Sequence, residues 1–308
     1  MRAQASHPRL ATLVERARAV GNAPAVALVY PCDELALDVA TQMAAAGLAR
    51  PVLVGPRERI LRAGDAAKVD VRNFEMVATG DAAPEAAQYA ATLARQGMVG
   101  ALMKGSLHTD ELMSAVVNKT TGLRGETRIS HVFVFDLPRY HKLLALADCV
   151  VNIQPDVTTK RDILGNAIAL LQKIGIEQPK VGIVSAVETV NPAIPATVHA
   201  QELVRMARDG VWPGAIVEGP FGFDNVISAE AARIKKIESQ VAGDADLLLV
   251  PDLNAGNMLY KSFNYIGGGD CAGLVLGAKV PIILTSRADS VQSRIASVAL
   301  AVLALNVD

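Results

Sequence analysis

Aromatic residues make up only 4% of the 308-residue sequence, with a single tryptophan. Ala, Val, Leu and Ile dominate instead, the composition of a parallel sheet packed under Ala-rich helices, because strands buried on both faces read as aliphatic runs. Cysteine is scarce. Cys32, Cys149 and Cys271 are odd in number, far apart and form no CxxC pair, so neither a disulfide framework nor a structural zinc site follows. An excess of charge is lacking as well: 30 Lys and Arg face 31 Asp and Glu, a net charge of -1. Such a surface has no field to hold a nucleic-acid backbone or an anionic membrane. No stretch approaches the roughly 18 uncharged apolar residues of a membrane span. The first residues, MRAQASHPRLATLVERARAV, are charged and hold no apolar core before a cleavage site, so no signal peptide is expected. The expectation is a soluble cytoplasmic protein.

Familiar chemical signatures are missing too. GxxxxGK[ST] is absent, which removes a phosphate-loop nucleotide hydrolase. No GxGxxG follows a strand; Gly267, Gly268 and Gly269 come after a helical stretch and read as a helix stop. HExxH, HxE paired with PCxxC, and GxSxG are likewise absent, which lowers a zinc hydrolase and an α/β-hydrolase. The histidines have no metal spacing, and no metal site is expected.

What is present is a large apolar share, 51%, with 20% charged residues. That is enough for a substantial core and excludes wholesale disorder. Domains of roughly 100–200 residues make this length two domains or one large one. Short β-rich runs alternate with helical stretches. Strands are predicted at 25–30, 51–55, 74–79, 99–105, 130–137, 148–153, 180–186, 215–219, 246–251, 271–277 and 280–286. Helices are predicted at 33–47, 82–96, 109–119, 158–175, 196–209, 255–266 and 289–305. Thr109 is expected to cap the third, and Asp289 with Ser290 the last. Alternation of this kind favours an open, mostly parallel α/β sheet. About eleven strands exceed one comfortable sheet, so a split is expected near 138–147, where PRYHKLLALA breaks the rhythm.

Ligand sites of open α/β sheets lie where strands end and helices begin. Four segments of this kind carry chemistry: KGSLHTDE, EGPFGFDN, PDLNAGNMLYK and LTSRADS. In LTSRADS, Arg287 offers a planar fork for phosphate oxygens and Ser286 a hydroxyl for developing negative charge or a thiolate. Asp289 suits either a helix cap or a base. In PDLNAGNMLYK, Asn254 and Asn257 supply neutral donors and acceptors, Gly256 permits close approach, and Lys261 stands one turn beyond Asn257. An ordinary turn with a solvated lysine explains the same pattern. KGSLHTDE adds Lys104, His108 and Thr109. Glu188 and Asp224 are loop carboxylates, for which helix capping is the simpler reading. The cysteines read as inert, since a reactive thiol needs an electropositive, exposed site.

Beyond these physical readings, MKGSLHT, ISHVFVFDLPRYHKLLALADCVVNIQPD, KVGIVSAVETVNPAIPATVHA, EGPFGFDNVIS, DLLLVPDLNAGNMLYKS and GAKVPIILTSRADS resemble the phosphate acetyl/butyryl transferase family. The resemblance runs from about residue 98 to the end, and NPAIPAT and LTSRADS lean toward its butyryl branch. It implies two three-layer αβα domains with a cleft between them, similar to isocitrate and isopropylmalate dehydrogenases. Residues 1–140 with 285–308 would form the first domain and 141–284 the second. It also implies transfer of a short acyl group between coenzyme A and inorganic phosphate, through acyl phosphate, with no bound cofactor and in a homodimer or larger homo-oligomer. On this resemblance Ser286 lies near the coenzyme A sulfur and Arg287 on the phosphate. Thr285, Lys104, His108, Thr109, Asn254, Asn257 and Lys261 fall among the substrate-binding residues. Two positions depart from the acetyl branch: Ser293 stands where that branch has an aspartate base, and Met113 and Ser114 occupy the region of its helix arginine. Asp289 is taken as the base instead. A decarboxylating dehydrogenase on the same architecture, or a degenerate acyl-CoA sensor, are the alternatives.

Overall fold

The computed structural model describes residues 7–284 and 289–305. The strands in chain order are β1 (Ala25–Val29), β2 (Arg50–Gly55), β3 (Glu75–Ala78), β4 (Ala101–Lys104), β5 (Ser130–Asp136) and β6 (Leu144–Ala147). They continue with β7 (Lys180–Val184), β8 (Ile216–Phe221), β9 (Leu247–Leu249), β10 (Asp270–Leu276) and β11 (Ile282–Ile283). The helices are α1 (Pro8–Ala19), α2 (Glu34–Ala45), α3 (Arg57–Ala67), α4 (Ala83–Arg95), α5 (Thr109–Val117) and α6 (Val157–Lys173). The remainder are α7 (Pro195–Arg208), α8 (Phe223–Ile227), α9 (Ala229–Ile234), α10 (Leu253–Tyr265) and α11 (Val291–Leu305).

The chain forms two compact units, residues 11–129 with 272–308, and residues 1–10 with 130–271. The sequence expectation placed the passages at 140/141 and 284/285. In the structure they fall at 129/130, just before β5, and at 271/272, inside β10. The pairing explains the first: β5 runs antiparallel to β6, with Val132 opposite Ala147, and so goes with the strands that follow it.

In the unit of 11–129 and 272–308 the strand order is β3-β2-β1-β4-β11-β10. Every pair is parallel except β10 with β11. β1 (AVALV) is buried at every position, as a central parallel strand must be. On α4, Ala86, Ala87, Ala90, Ala91 and Ala94 are buried in one stripe, so a helix of small side chains closes the layer that the scarcity of rings predicted. α11 buries Val298, Ala299, Val302 and Leu303, together with Leu300 and Ala301.

In the unit of 130–271 the order is β5-β6-β9-β7-β8, parallel from β6 onward. Its core collects Phe133, Phe135, Tyr140, Phe221 and Phe263. Phe133 stacks on Tyr260 with centroids 4.2 Å apart, and Phe263 meets Phe135 edge-on at 5.1 Å. Both partners on α10 are thereby keyed to β5.

The predicted strand at 148–153 is not there. LALA, inside the stretch read as an interruption, is the strand, and DCVVNI turns away from the sheet. Asp148 is the cause: its carboxylate accepts hydrogen bonds from the backbone of Val150, Val151 and Asn152 at 2.9–3.3 Å. A side chain that gathers successive amides competes with ladder pairing and wins over β-branched propensity. Four helices had no sequence prediction: α1, α3, α8 and α9.

Candidate active site

In the unit of 11–129 and 272–308, the β4 end carries Lys104, and the loop beyond it is stitched to the end of β1 by backbone. Gly105 N donates to Val29 O at 2.9 Å and Ser106 N to Tyr30 O at 3.0 Å. The Ser106 hydroxyl donates to Tyr30 O at 2.7 Å and accepts from Cys32 N at 3.0 Å. Only glycine fits at 105, because a Cβ there would strike the Val29 carbonyl oxygen and lie 2.7 Å from that of Tyr30. Tyr30 itself adopts φ 56, a left-handed conformation that costs free energy in a bulky residue. Arg59 donates to the Tyr30 hydroxyl and lies over its ring, 5.1 Å from the centroid.

Lys104 Nζ donates to Gly105 O and Leu107 O, both at 3.2 Å, so the lysine shapes its own loop. His108 and Thr109 are exposed at the entrance to α5. The cap expected of Thr109 falls instead to His108, the residue before the first helical turn; its N–H donates to Glu111 Oε2 at 2.7 Å. Thr109 is thus the first helical residue, its hydroxyl not needed as a cap.

β11 runs parallel beside β4, with Ile283 opposite Met103. Thr285, Ser286 and Arg287 lie outside the described residues. Asp289 is half-buried ahead of α11. The cap expected from Asp289 and Ser290 is supplied by Ser290, whose Oγ accepts from Ser293 N at 2.9 Å. Ser293 is buried.

In the unit of 130–271 the PDLNAGN segment opens α10. Asp252 is the N-cap and accepts from Ala255 N at 2.9 Å, a role the sequence reading did not single out. Asn254 is exposed on the first turn and Lys261 is exposed further along. Asn257 Nδ2 reaches back to Cys149 O at 3.3 Å, and Leu253 N donates to Ile153 O at 3.0 Å. Gly256 lets the helix ride against the Asp148 turn: a Cβ there would sit 2.6 Å from Asp148 O. Asn254, Asn257 and the 148–153 turn therefore lie together where β6 and β9 end. Lys104, His108, Thr109 and Asp289 belong to the other unit.

Glu188 and Asp224 meet Lys235, at 2.6 and 3.5 Å. The Lys235 hydrogen bond is the main reason the Glu188 carboxyl is held below its ordinary value. Asn225 Nδ2 also donates to Glu188. This is an ionic clasp that ties the loop after β7 to α8 and the end of α9, and neither carboxylate caps a helix as the sequence reading preferred. A cavity of about 570 Å³ opens along β8, lined by Glu188, Arg208, Glu218, Pro220, Ile237 and Ser239 among others. None of the residues favoured from sequence for catalysis or substrate binding lines it.

His131 and Lys160 are among the buried titratable groups that escaped the sequence reading. His131 on β5 is 1% exposed, with no hydrogen-bond partner on either ring nitrogen. Burial pushes its pKa down to about 4 against the opposing pull of Asp148. Lys160, in the first turns of α6, is 3% exposed. Nothing in a one-dimensional pattern separates a buried helical lysine from a solvated one. Among the described residues no group of three or more His, Cys, Asp or Glu is placed to hold a metal ion. No described helix is long and apolar enough to cross a membrane.

Residues 81–302 match the family described as phosphate acetyl/butaryl transferase. The chain belongs to this family. Membership makes it an acyltransferase. A phosphate acetyltransferase of Rhizobium meliloti is 50% identical over 94% of this chain and 92% of its own length. A probable phosphate butyryltransferase of Bacillus subtilis (strain 168) is 41% identical, covering 80% and 84%. The crystal structure of a branched-chain phosphotransacylase from Enterococcus faecalis V583 superposes with a TM-score of 0.81 at 29% identity, over 92% of this chain and 99% of the other. The α/β fold read from sequence is thus the fold of a phosphotransacylase. The leaning toward the butyryl branch gains no support, since an acetyltransferase shares more residues with this chain than that butyryltransferase does.

Proposed function

We propose that the protein moves a short acyl group between coenzyme A and inorganic phosphate by direct attack of the coenzyme A thiolate on acyl phosphate. The observation that carries this reading is coincidence. All nine residues chosen from strand-end chemistry, from Lys104 to Asp289, fall inside the 81–302 family match. A thiol of pKa about 8.5 must lose its proton before it attacks. Asp289, half-buried ahead of α11, is the assigned base. The new carbon–sulfur bond forms as the carbon–oxygen bond to phosphate breaks, and phosphate leaves with the electron pair. Arg287 offsets the charge on that phosphate, and Ser286 orients sulfur or oxyanion. Thr285, Lys104, His108, Thr109, Asn254, Asn257 and Lys261 bind and align the substrates. No bound cofactor enters the reaction.

The acyl chain is short. One methylene is worth only about 1–3 kcal/mol in an apolar pocket, so acetyl and butyryl groups are separated by measurement. Thiol release from acetyl-, butyryl- and longer acyl-CoA with added phosphate tests the assignment directly; no phosphate-dependent release from any of them rejects it. Arg287→Ala is expected to raise the KM for acyl phosphate and cut turnover, and Asp289→Asn to abolish most of kcat. Unchanged kinetics in either variant removes that residue from the site. The decarboxylating dehydrogenase reading requires NAD and divalent-metal binding, which a titration with both excludes or reveals. The protein is further assigned to the cytoplasm, as a homodimer or larger homo-oligomer, and sedimentation checks the assembly.

A further inference from the structure

Lys160 is placed where a lysine is least welcome. It is the fourth residue of α6, in the first turns, where the helix dipole disfavours a cation. The side chain is 3% exposed, and removing an ammonium from water costs several kcal/mol unless partners compensate. The hydrogen bond it makes is to a neutral group: Nζ lies 3.1 Å from His199 Nδ1 on α7. An imidazole that accepts at Nδ1 carries its proton on Nε2. His199 is kept in this neutral form by burial first and by the Lys160 charge second, against the pull of Asp156. The carboxylate acting on Lys160 is Asp252, the cap of α10.

The topology explains why these groups meet. β9 lies between β6 and β7, all three parallel. α6, α10 and α7 are the helices that follow β6, β9 and β7 from the same end. The turn after β9, which holds Asp252 and leads into Asn254 and Asn257, is flanked by the turns that bring in Lys160 and His199. Asp156 caps α6 through Thr159 N at 2.7 Å and pulls on His199 from that turn. Replacing a buried charge by a hydrophobic residue of similar volume is often neutral or stabilising, so stability alone does not account for an ammonium at this position.

We infer that Lys160 is a positioning residue for acyl transfer: its ammonium, held by His199, draws the first turns of α6 and α7 onto the Asp252 cap and fixes the Asn254–Asn257 turn against substrate. The inference rests on the proposed substrate-binding role of that turn. Burial brings the Lys160 pKa down to about 8 against the pull of Asp252. The ammonium is therefore present at pH 7 and lost as the pH rises through that value.

Lys160→Met tests it in the acyl-phosphate-forming direction, where no substrate thiol titrates. At pH 7 the KM for acyl-CoA or for phosphate is expected to rise about tenfold, with kcat nearly unchanged and thermal unfolding no earlier than in the wild type. The ratio of variant to wild-type KM is then expected to fall toward one by about pH 9.5, where the wild type has also lost its charge. Unchanged KM values at pH 7, or a rise of equal size at both pH values, overturns the inference. If Lys160→Met does not fold, His199→Leu serves: the alkaline rise in KM is expected at lower pH, and an unmoved rise is equally fatal. A wild-type protein without acyl-transfer activity refutes the function instead, so the two failures are separable.

Discussion

The loop at residues 104–109 is secured by main chain, whereas the turn at 148–153 is secured by a buried carboxylate. In the first, Gly105 and Ser106 hydrogen-bond to the carbonyls of Val29 and Tyr30, and the missing Cβ of Gly105 is what permits the approach. In the second, Asp148 gathers three amides and the side chain of Asn152, while Asp252 and Asp156 cap the helices beside it. The cores differ in the same sense. Five of the six phenylalanines, three of the five tyrosines and the tryptophan belong to residues 130–271; the other unit is closed by aliphatic chains and alanine. Rings thus concentrate in the unit that carries Asn254 and Asn257, and with them the buried charges Asp136, Asp148, Lys160 and Asp246.

Gly105→Ala is expected to have the largest effect, because the added carbon meets backbone that cannot rotate aside. A loss of about 3 kcal/mol is expected, together with most activity; a normal melting temperature and normal kinetics mean that the backbone seam is not rigid. Asp148→Ala is expected to cost about 2 kcal/mol by leaving half-buried amides unpaired. Its exchange protection should drop at Val150, Val151 and Asn152 and hold at Gly105 and Ser106. A uniform drop across both loops contradicts the distinction between the two units.

Asp244→Asn is the smallest. Burial alone raises this carboxyl, but hydrogen bonds from Lys180, Lys142 and His141 outweigh it and hold the pKa far below the ordinary value. A carboxyl depressed in the folded state contributes stability that is full above its unfolded pKa and is lost as pH falls below it. The site is partly exposed, so the expected loss at pH 7 is about 0.5–1 kcal/mol. The gap between wild type and variant should begin to close as the pH falls below 4 and close fully only in much stronger acid, where the folded carboxyl itself takes up its proton. A gap as large at pH 2 as at pH 7 shows that the asparagine disturbs packing rather than charge.

Much of the strand and helix pattern was open to sequence reasoning, since parallel strands such as AVALV and stripes of alanine such as those of α4 announce themselves by period. The turn at 148–153 was not. DCVVNI has every local mark of a strand, and only the folded position of the Asp148 carboxylate turns it. α3 was hidden by its charge, RERILRAGDAA offering a weak apolar stripe after Pro56. Among the candidate residues, the motifs led to Lys104, His108, Asn254 and Asn257 because their types are unusual where strands end. Lys160 and His131 stayed hidden because burial is a property of three dimensions. His108 replaced Thr109 as cap since Glu111 reaches its amide, a reciprocal detail that residue type alone does not disclose.

The state of the cysteines has a practical corollary. Cys149 and Cys271 are sealed in the core. Burial keeps the Cys149 sulfhydryl protonated well beyond its usual range, and lifts that of Cys32 to about 11 despite the nearby Arg59 guanidinium. Disulfide-exchange dyes consume thiolate, and near pH 8 the free coenzyme supplies far more of it than Cys32 or Cys149. A colour reaction that counts liberated coenzyme A will therefore read the product against a catalyst whose own sulfur is nearly silent.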